Sequence, residues 1–246
     1  MELTKVEITS NEQKQPVLRI SEQFYSIQGE GRTMGIPAVF VRLQACNILC
    51  KGEWICDTIE VWKKGEKTSI DEWLLSMQKY VKHLKAGAHL IFTGGEPLIQ
   101  QKAIEWAIRC FNRVYGFKPF IEVETNGTIA PIESLQKLVG LFNCSFKLAN
   151  SGVEERRRIN KESLNIISNN RHIFKIVITK KEDYDEAMEI LNSINANKKN
   201  IYLMPGGDNI ETINKNSKMV AEICIKESVN FSTRLQIVLW NKTVGV

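Results

Sequence analysis

Short apolar runs recur along this chain, and most are separated by stretches with apolar residues at helical spacing. The runs lie at 38–43, 89–93, 120–125, 144–148, 173–179, 200–204 and 235–240. The first, Ala38-Val39-Phe40-Val41-Arg42-Leu43, is continuous rather than alternating, as in strands covered on both faces. Ahead of it, 18–27 alternates apolar and polar residues and reads as a further strand. Ser69-Ile-Asp-Glu72 is a capping box that opens a helix through about His83. Residues 98–115 form another helical pattern, stopped by Gly116, and 133–139, 162–168, 184–194 and 212–228 follow suit. Strands alternating with helices predict parallel β/α units, whose functional loops gather at the carboxyl ends of the strands on one rim of a barrel.

Composition narrows the function classes. The chain has 246 residues and is 43% hydrophobic, enough for a sizeable core in one α/β barrel-like domain or in two small domains. Its 33 basic and 28 acidic residues leave a net charge of only +5, and the basic residues are dispersed, so nucleic acid is not an implied partner. The densest basic run, Arg156-Arg157-Arg158, follows two glutamates and reads as a solvated, charge-mixed helix start or loop. Residues 1–17 read as a loosely held polar arm with no apolar signal region, and no stretch reaches the roughly 18 apolar residues of a spanning helix. Six cysteines without disulfide-scaffold spacing suggest a reducing cytoplasm.

Three of those cysteines, Cys46, Cys50 and Cys56, directly follow the 38–43 run. By spacing alone they fit a zinc site lacking its usual fourth ligand, an iron–sulfur site with one open iron, or three ordinary cysteines. Other unusual segments also follow strands. Thr93-Gly94-Gly95-Glu96-Pro97 combines glycines that allow close backbone approach, a carboxylate for an ammonium group, and a proline that pre-sets a helical turn. Thr125-Asn126-Gly127 suits a turn or a ligand equally. Lys147, after Ser145 and Phe146, either reaches a carboxylate or snorkels to solvent. Leu203-Met204-Pro205-Gly206 offers apolar surface and backbone groups to an adenine-like ring, or is a core strand and turn.

Taken in order, the cysteine trio, Gly94-Gly95-Glu96 and Glu124-Thr125-Asn126-Gly127 resemble the radical S-adenosylmethionine (SAM) enzymes. With Gln28-Gly29-Glu30-Gly31, Cys56-Asp57-Thr58 and Lys147-Leu-Ala-Asn-Ser-Gly152, the chain is similar to the 7-carboxy-7-deazaguanine synthase family from residue 20 to its end. The resemblance implies a partial, modified TIM-like (β/α) barrel of about six parallel strands, formed by 18–246 as a single radical SAM domain. It implies a [4Fe–4S] cluster on Cys46, Cys50 and Cys56, whose open iron takes SAM and whose electron cleaves it to a hydrogen-abstracting radical, with no catalytic residue beyond that cofactor chemistry. SAM would be held by Gly94, Gly95, Glu96, Asn126, Ser145, Phe146 and Lys147, with Leu203, Met204, Pro205 and Gly206 along the adenine. Thr58 would ligate Mg2+. A pterin substrate, 6-carboxy-5,6,7,8-tetrahydropterin, would meet Ile27, Gln28, Gly29, Arg42, Thr93 and the C-terminal Val246. Ring contraction with loss of ammonia would yield 7-carboxy-7-deazaguanine, in 7-deazapurine (queuosine-type) biosynthesis. A flavodoxin-like electron donor and a homodimer are implied, and no membrane or direct nucleic-acid partner. A radical SAM activase of another protein, or a non-catalytic partner on the same fold, are the alternatives. The spacing departs from the usual radical SAM pattern: five residues, 51–55, separate Cys50 from Cys56 where two are usual.

Overall fold

The computed structural model describes residues 15–56, 58–241 and 243. Most of the proposed N-terminal arm, together with Asp57 and Val246, lies outside the described residues. Among the described residues nine strands form one sheet: β1 (Leu18–Ile27), β2 (Pro37–Leu43), β3 (Glu66–Thr68), β4 (His89–Gly94), β5 (Ile121–Thr125), β6 (Leu141–Cys144), β7 (His172–Ile178), β8 (Ile201–Pro205) and β9 (Asn230–Phe231). Their order is β3-β1-β2-β4-β5-β6-β7-β8-β9. From β2 onward every pairing is parallel, while β1 joins β2 and β3 antiparallel. Six parallel strands plus the two-residue β9 thus make the expected partial barrel. The gap between its ends is bridged by loops rather than a ladder: Leu235 N–H donates to Gly29 O at 2.9 Å, and Gly31 N–H to Ser232 Oγ at 2.8 Å.

That bridge explains the Gln28-Gly29-Glu30-Gly31 segment. A Cβ on Gly29 would collide with Gln236, and one on Gly31 would lie 2.5 Å from Ile173 Cδ1. Gly31 also has φ 72°, a left-handed conformation that favours glycine.

The period of two along each strand sorts side chains between two environments. Val39, Val41, Leu43, Leu90, Phe92, Ile121, Val123, Phe142, Phe174, Ile176, Ile178, Ile201 and Leu203 join one apolar core with the helices. The helix Gln101–Tyr115 faces it with Ala103, Ile104, Ala107, Ile108 and Phe111, and ends at left-handed Gly116. Ser69 forms the expected capping box with Glu72 on the helix Ile70–Met77, which a tighter turn at Gln78–Tyr80 separates from Val81–Lys85. The alternate positions, Phe40, Arg42, Thr93, Glu124, Lys175, Val177 and Met204, line the inner cavity.

Two sequence expectations are corrected. The sixth strand ends at Cys144 rather than starting there, because buried Asn143 belongs to its inward face. Leu235–Trp240 is a helix that caps the barrel gap, not a strand. Residues 59–68, ahead of the first predicted helix, hold the single-turn helix Ile59–Trp62 and edge strand β3.

Candidate active site

One cavity of about 1100 Å³ opens at the carboxyl ends of the parallel strands. The three cysteines form part of its wall. The chain leaves β2 through Ala45, held left-handed at φ 78°, and turns into Cys46. Ala45 N–H donates to Trp62 O at 3.0 Å, and Ala45 O accepts from Glu96 N–H at 2.9 Å, which fixes the cysteine loop against the Gly94-Gly95-Glu96 turn. A Cβ on Gly95 would lie 2.6 Å from Cys46 Cβ, so the glycine is what permits this approach. Cys56 N–H donates to Cys50 O at 3.2 Å, and all three cysteines pack with Ile48, Val153 and Trp54. Burial pushes the Cys46 thiol up, and the Cys50 thiol to about 11. Three soft thiols gathered on one loop suit an iron–sulfur cluster, whose binding would release their protons. Thr58 occupies the N-cap position of the helix Ile59–Trp62 without a side-chain capping bond; its hydroxyl lies 3.5 Å from Cys56 Sγ, at the cavity wall.

The proposed SAM residues divide. Gly94, Gly95, Asn126, Ser145, Lys147, Met204, Pro205 and Gly206 line the cavity. Asn126 Nδ2 donates to Asn47 Oδ1 at 3.0 Å, and Lys147 Nζ donates to Ser145 Oγ at 3.0 Å. Phe146 and Leu203 instead send their side chains into the core; Phe146 meets Phe174 edge-on at 5.9 Å. Glu96 is fully buried beneath the rim. Its Oε1 accepts from Leu98 N–H and Thr125 Oγ1–H, both at 2.9 Å, and its Oε2 from Asn126 N–H at 2.7 Å. Burial raises its carboxyl to about 7 in spite of these donors. The glutamate therefore ties the ends of β4 and β5 together.

The proposed pterin residues line the same cavity. Ile27, Gln28, Gly29, Arg42 and Thr93 all line it, with Phe24 stacked on Phe40 at 5.0 Å. Arg42 Nε donates to Glu22 Oε1 at 2.7 Å across the β1–β2 pair. The main feature here was not assigned from the sequence. Lys175 Nζ lies 2.9 Å from Glu30 Oε2 and 2.6 Å from Glu124 Oε2. Glu30 Oε1 also accepts from Arg234 Nε at 3.1 Å and Gln236 Nε2 at 2.9 Å, while Gln28 Nε2 donates to Glu124 Oε1 at 2.9 Å. Burial acts against the Glu30 charge, but Lys175 and Arg234 hold its carboxyl well below the usual range. For Glu124 burial prevails and the carboxyl is pushed up against the pull of Lys175. Below them Glu122, wholly buried, accepts from Thr33 and Asn143 and pairs with His89 Nδ1 at 2.5 Å. A lysine and a glutamate inside otherwise apolar strand runs were the available signal, since buried charges demand partners.

The basic run divides: Arg156 and Arg157 are exposed on the short helix Glu155–Arg158, as expected of a charge-mixed helix start, and Arg158 turns inward. Arg158 is buried, pairs with Glu186 at 2.7 Å, and donates to Lys147 O at 2.9 Å and Val153 O at 3.0 Å. It braces the cavity's lysine segment instead of meeting solvent.

Comparison with known proteins agrees with this geometry. Residues 27–139 match a model described as a 4Fe-4S single cluster domain. A 7-carboxy-7-deazaguanine synthase from Halobacterium salinarum is 30% identical, the match covering 92% of this chain and 91% of that one. One from Pyrobaculum aerophilum is also 30% identical, over 94% and 98%. The crystal structure of QueE from Escherichia coli superposes with a TM-score of 0.67 at 23% identity, covering 89% of this chain and 94% of that chain, so it shares the fold. With the cysteine loop, the glycine-rich rim and the enclosed charge network in one cavity, this chain belongs to the 7-carboxy-7-deazaguanine synthase family.

Proposed function

We propose that the protein contracts the ring of 6-carboxy-5,6,7,8-tetrahydropterin to 7-carboxy-7-deazaguanine, releasing ammonia. The observation that carries this reading is that one cavity is lined both by three thiols and by a carboxylate–ammonium network. When bound, the cluster and SAM supply a radical that removes a hydrogen atom; the protein supplies position and exclusion of water. Cys46, Cys50 and Cys56 would hold the cluster. The backbone of Gly94 and Gly95, with Asn126, Ser145 and Lys147, would hold SAM, with Met204, Pro205 and Gly206 along its adenine. Glu96 would act by fixing the rim on which those groups sit.

The substrate's pyrimidine edge presents N–H donors, and the Glu30–Lys175–Glu124 set presents carboxylate oxygens whose two charges are met by Lys175 and Arg234. Gln28, anchored on Glu124, and the backbone at Ile27 and Gly29 would fix its register. Arg42 spends Nε on Glu22, and its remaining N–H donors suit the substrate carboxylate. Thr93, which also lines the cavity, would meet the same substrate. Thr58 would supply one oxygen to Mg2+. A flavodoxin-like reductant and a homodimer belong to the same reading.

The test is turnover by anaerobically reconstituted protein with SAM, dithionite, Mg2+ and the tetrahydropterin. The expected result is 7-carboxy-7-deazaguanine and ammonia in equal amounts. A fully clustered protein that cleaves SAM yet leaves the pterin unchanged would overturn the assignment of substrate.

A further inference from the structure

The five residues between Cys50 and Cys56 are not a slack loop. Lys51 N–H donates to Ser151 O at 3.0 Å and Glu53 N–H to Asn150 O at 2.8 Å, so the segment pairs with the turn after Lys147. Gly52 and Gly152 touch backbone to backbone; a Cβ on Gly152, which has φ 72°, would lie 2.9 Å from Gly52 Cα. Glu53 pairs with Lys180 and accepts from Thr179 Oγ1 at 3.0 Å, joining the loop to the end of β7. Trp54 Nε1 donates to Asn150 Oδ1 at 3.0 Å, and Asn150 is itself fixed by Asp183 at 2.9 Å. The indole so held lies 5.6 Å from Lys147 Nζ, ring face toward the ammonium, at the cavity wall.

We propose that 51–55 is a clasp that locks the cysteine loop onto the 147–152 turn, and that Trp54 is a positioning residue that holds Lys147 in place for SAM. An unrestrained lysine loses considerable rotamer freedom when it binds an anion. A ring face within about 6 Å confines the ammonium in advance and strengthens its field by excluding water. Arg158, donating to Lys147 O, fixes the same residue from its backbone side. The inference rests on the reading of Lys147 as a SAM-side residue.

The experiment measures SAM affinity by equilibrium dialysis on reconstituted protein, with iron per chain as control. Trp54→Leu should raise the Kd roughly threefold to thirtyfold at unchanged iron content, and Trp54→Phe, which keeps a ring face, within about threefold. In a Lys147→Met background Trp54→Leu should add nothing further. If Lys147→Met weakens SAM but Trp54→Leu does not, or if the two effects add, the positioning role is wrong while the reading of Lys147 stands. If Lys147→Met binds SAM like the wild type, that reading fails and the inference with it. The clasp has a separate readout in cluster-free protein: the Lys51 and Glu53 amides should be protected from hydrogen exchange and should exchange roughly tenfold faster in Gly152→Ala. Equal protection in both proteins would overturn it.

Discussion

Lys175→Met removes an ammonium whose side chain is 3% exposed and which serves two carboxylates at once. Methionine fills similar space, so the loss is electrostatic rather than steric. Glu30 keeps Arg234 and Gln236, whereas Glu124 keeps the Gln28 amide as its hydrogen-bond donor. Removing one partner of a buried pair costs about 3–5 kcal/mol, a large share of the roughly 5–15 kcal/mol that holds a domain folded. The variant can escape part of this by protonating Glu124, whose carboxyl burial already pushes upward. A folded-state pKa above the unfolded value favours folding at pH below the unfolded pKa, and that contribution is lost as pH rises through the folded pKa. The deficit of Lys175→Met should therefore be largest near pH 8 and shrink toward pH 5. Glu124→Gln in the same chain removes the stranded charge and should recover part of the loss at pH 8. Urea denaturation of cluster-free, reduced protein gives the midpoints, with unchanged slopes showing that the same surface unfolds. A deficit under about 1 kcal/mol at pH 8, or one equal at both pH values, would refute the reasoning.

Other perturbations test the remaining parts of the site. Glu96→Gln places an amide N–H against donors on either side, since both oxygens of Glu96 accept; the expected loss is about 1–3 kcal/mol by denaturation. Because burial raises Glu96 from 4.5 to about 7, its protonated form favours the fold, and that contribution, complete below 4.5, is lost as pH rises through about 7. Cluster-free wild type should accordingly lose stability over that window relative to Glu96→Gln. Gly95→Ala drives a methyl into Cys46 and should abolish iron binding with unaltered far-ultraviolet circular dichroism. Cys50→Ala should likewise bind no stable cluster, whereas Cys224→Ala, in the helix Ile210–Glu227, should keep full iron content.

The alternation of short apolar runs with helical patterns was enough to predict a parallel β/α sheet, because burial on both faces demands continuous apolar runs and crossovers demand helices. The cysteine spacing and the glycine-rich turns marked the rim, because a turn that must approach a ligand or another backbone leaves its glycines in the sequence. Which side of a strand a residue occupies was not legible in the same way. Phe146 and Leu203 sit beside cavity residues in the sequence and face the helices in space, since one step along the chain changes environment. Nor could local sequence show that Glu30, Glu124 and Lys175, separated by 145 positions from first to last, share one charge network. That grouping exists only because the curved sheet brings the loop after β1 against β7 and the segment after β9. The residues between Cys50 and Cys56 show the same division: their number was plain in the sequence, while their pairing with the 150–152 turn required the folded chain. Sequence by itself determined the repeating unit and the reactive rim, which depend on local periodicity and backbone freedom. Tertiary structure alone decided which charges are buried together, because their partners come from distant strands and the cost of leaving them unpaired is felt only once water is gone.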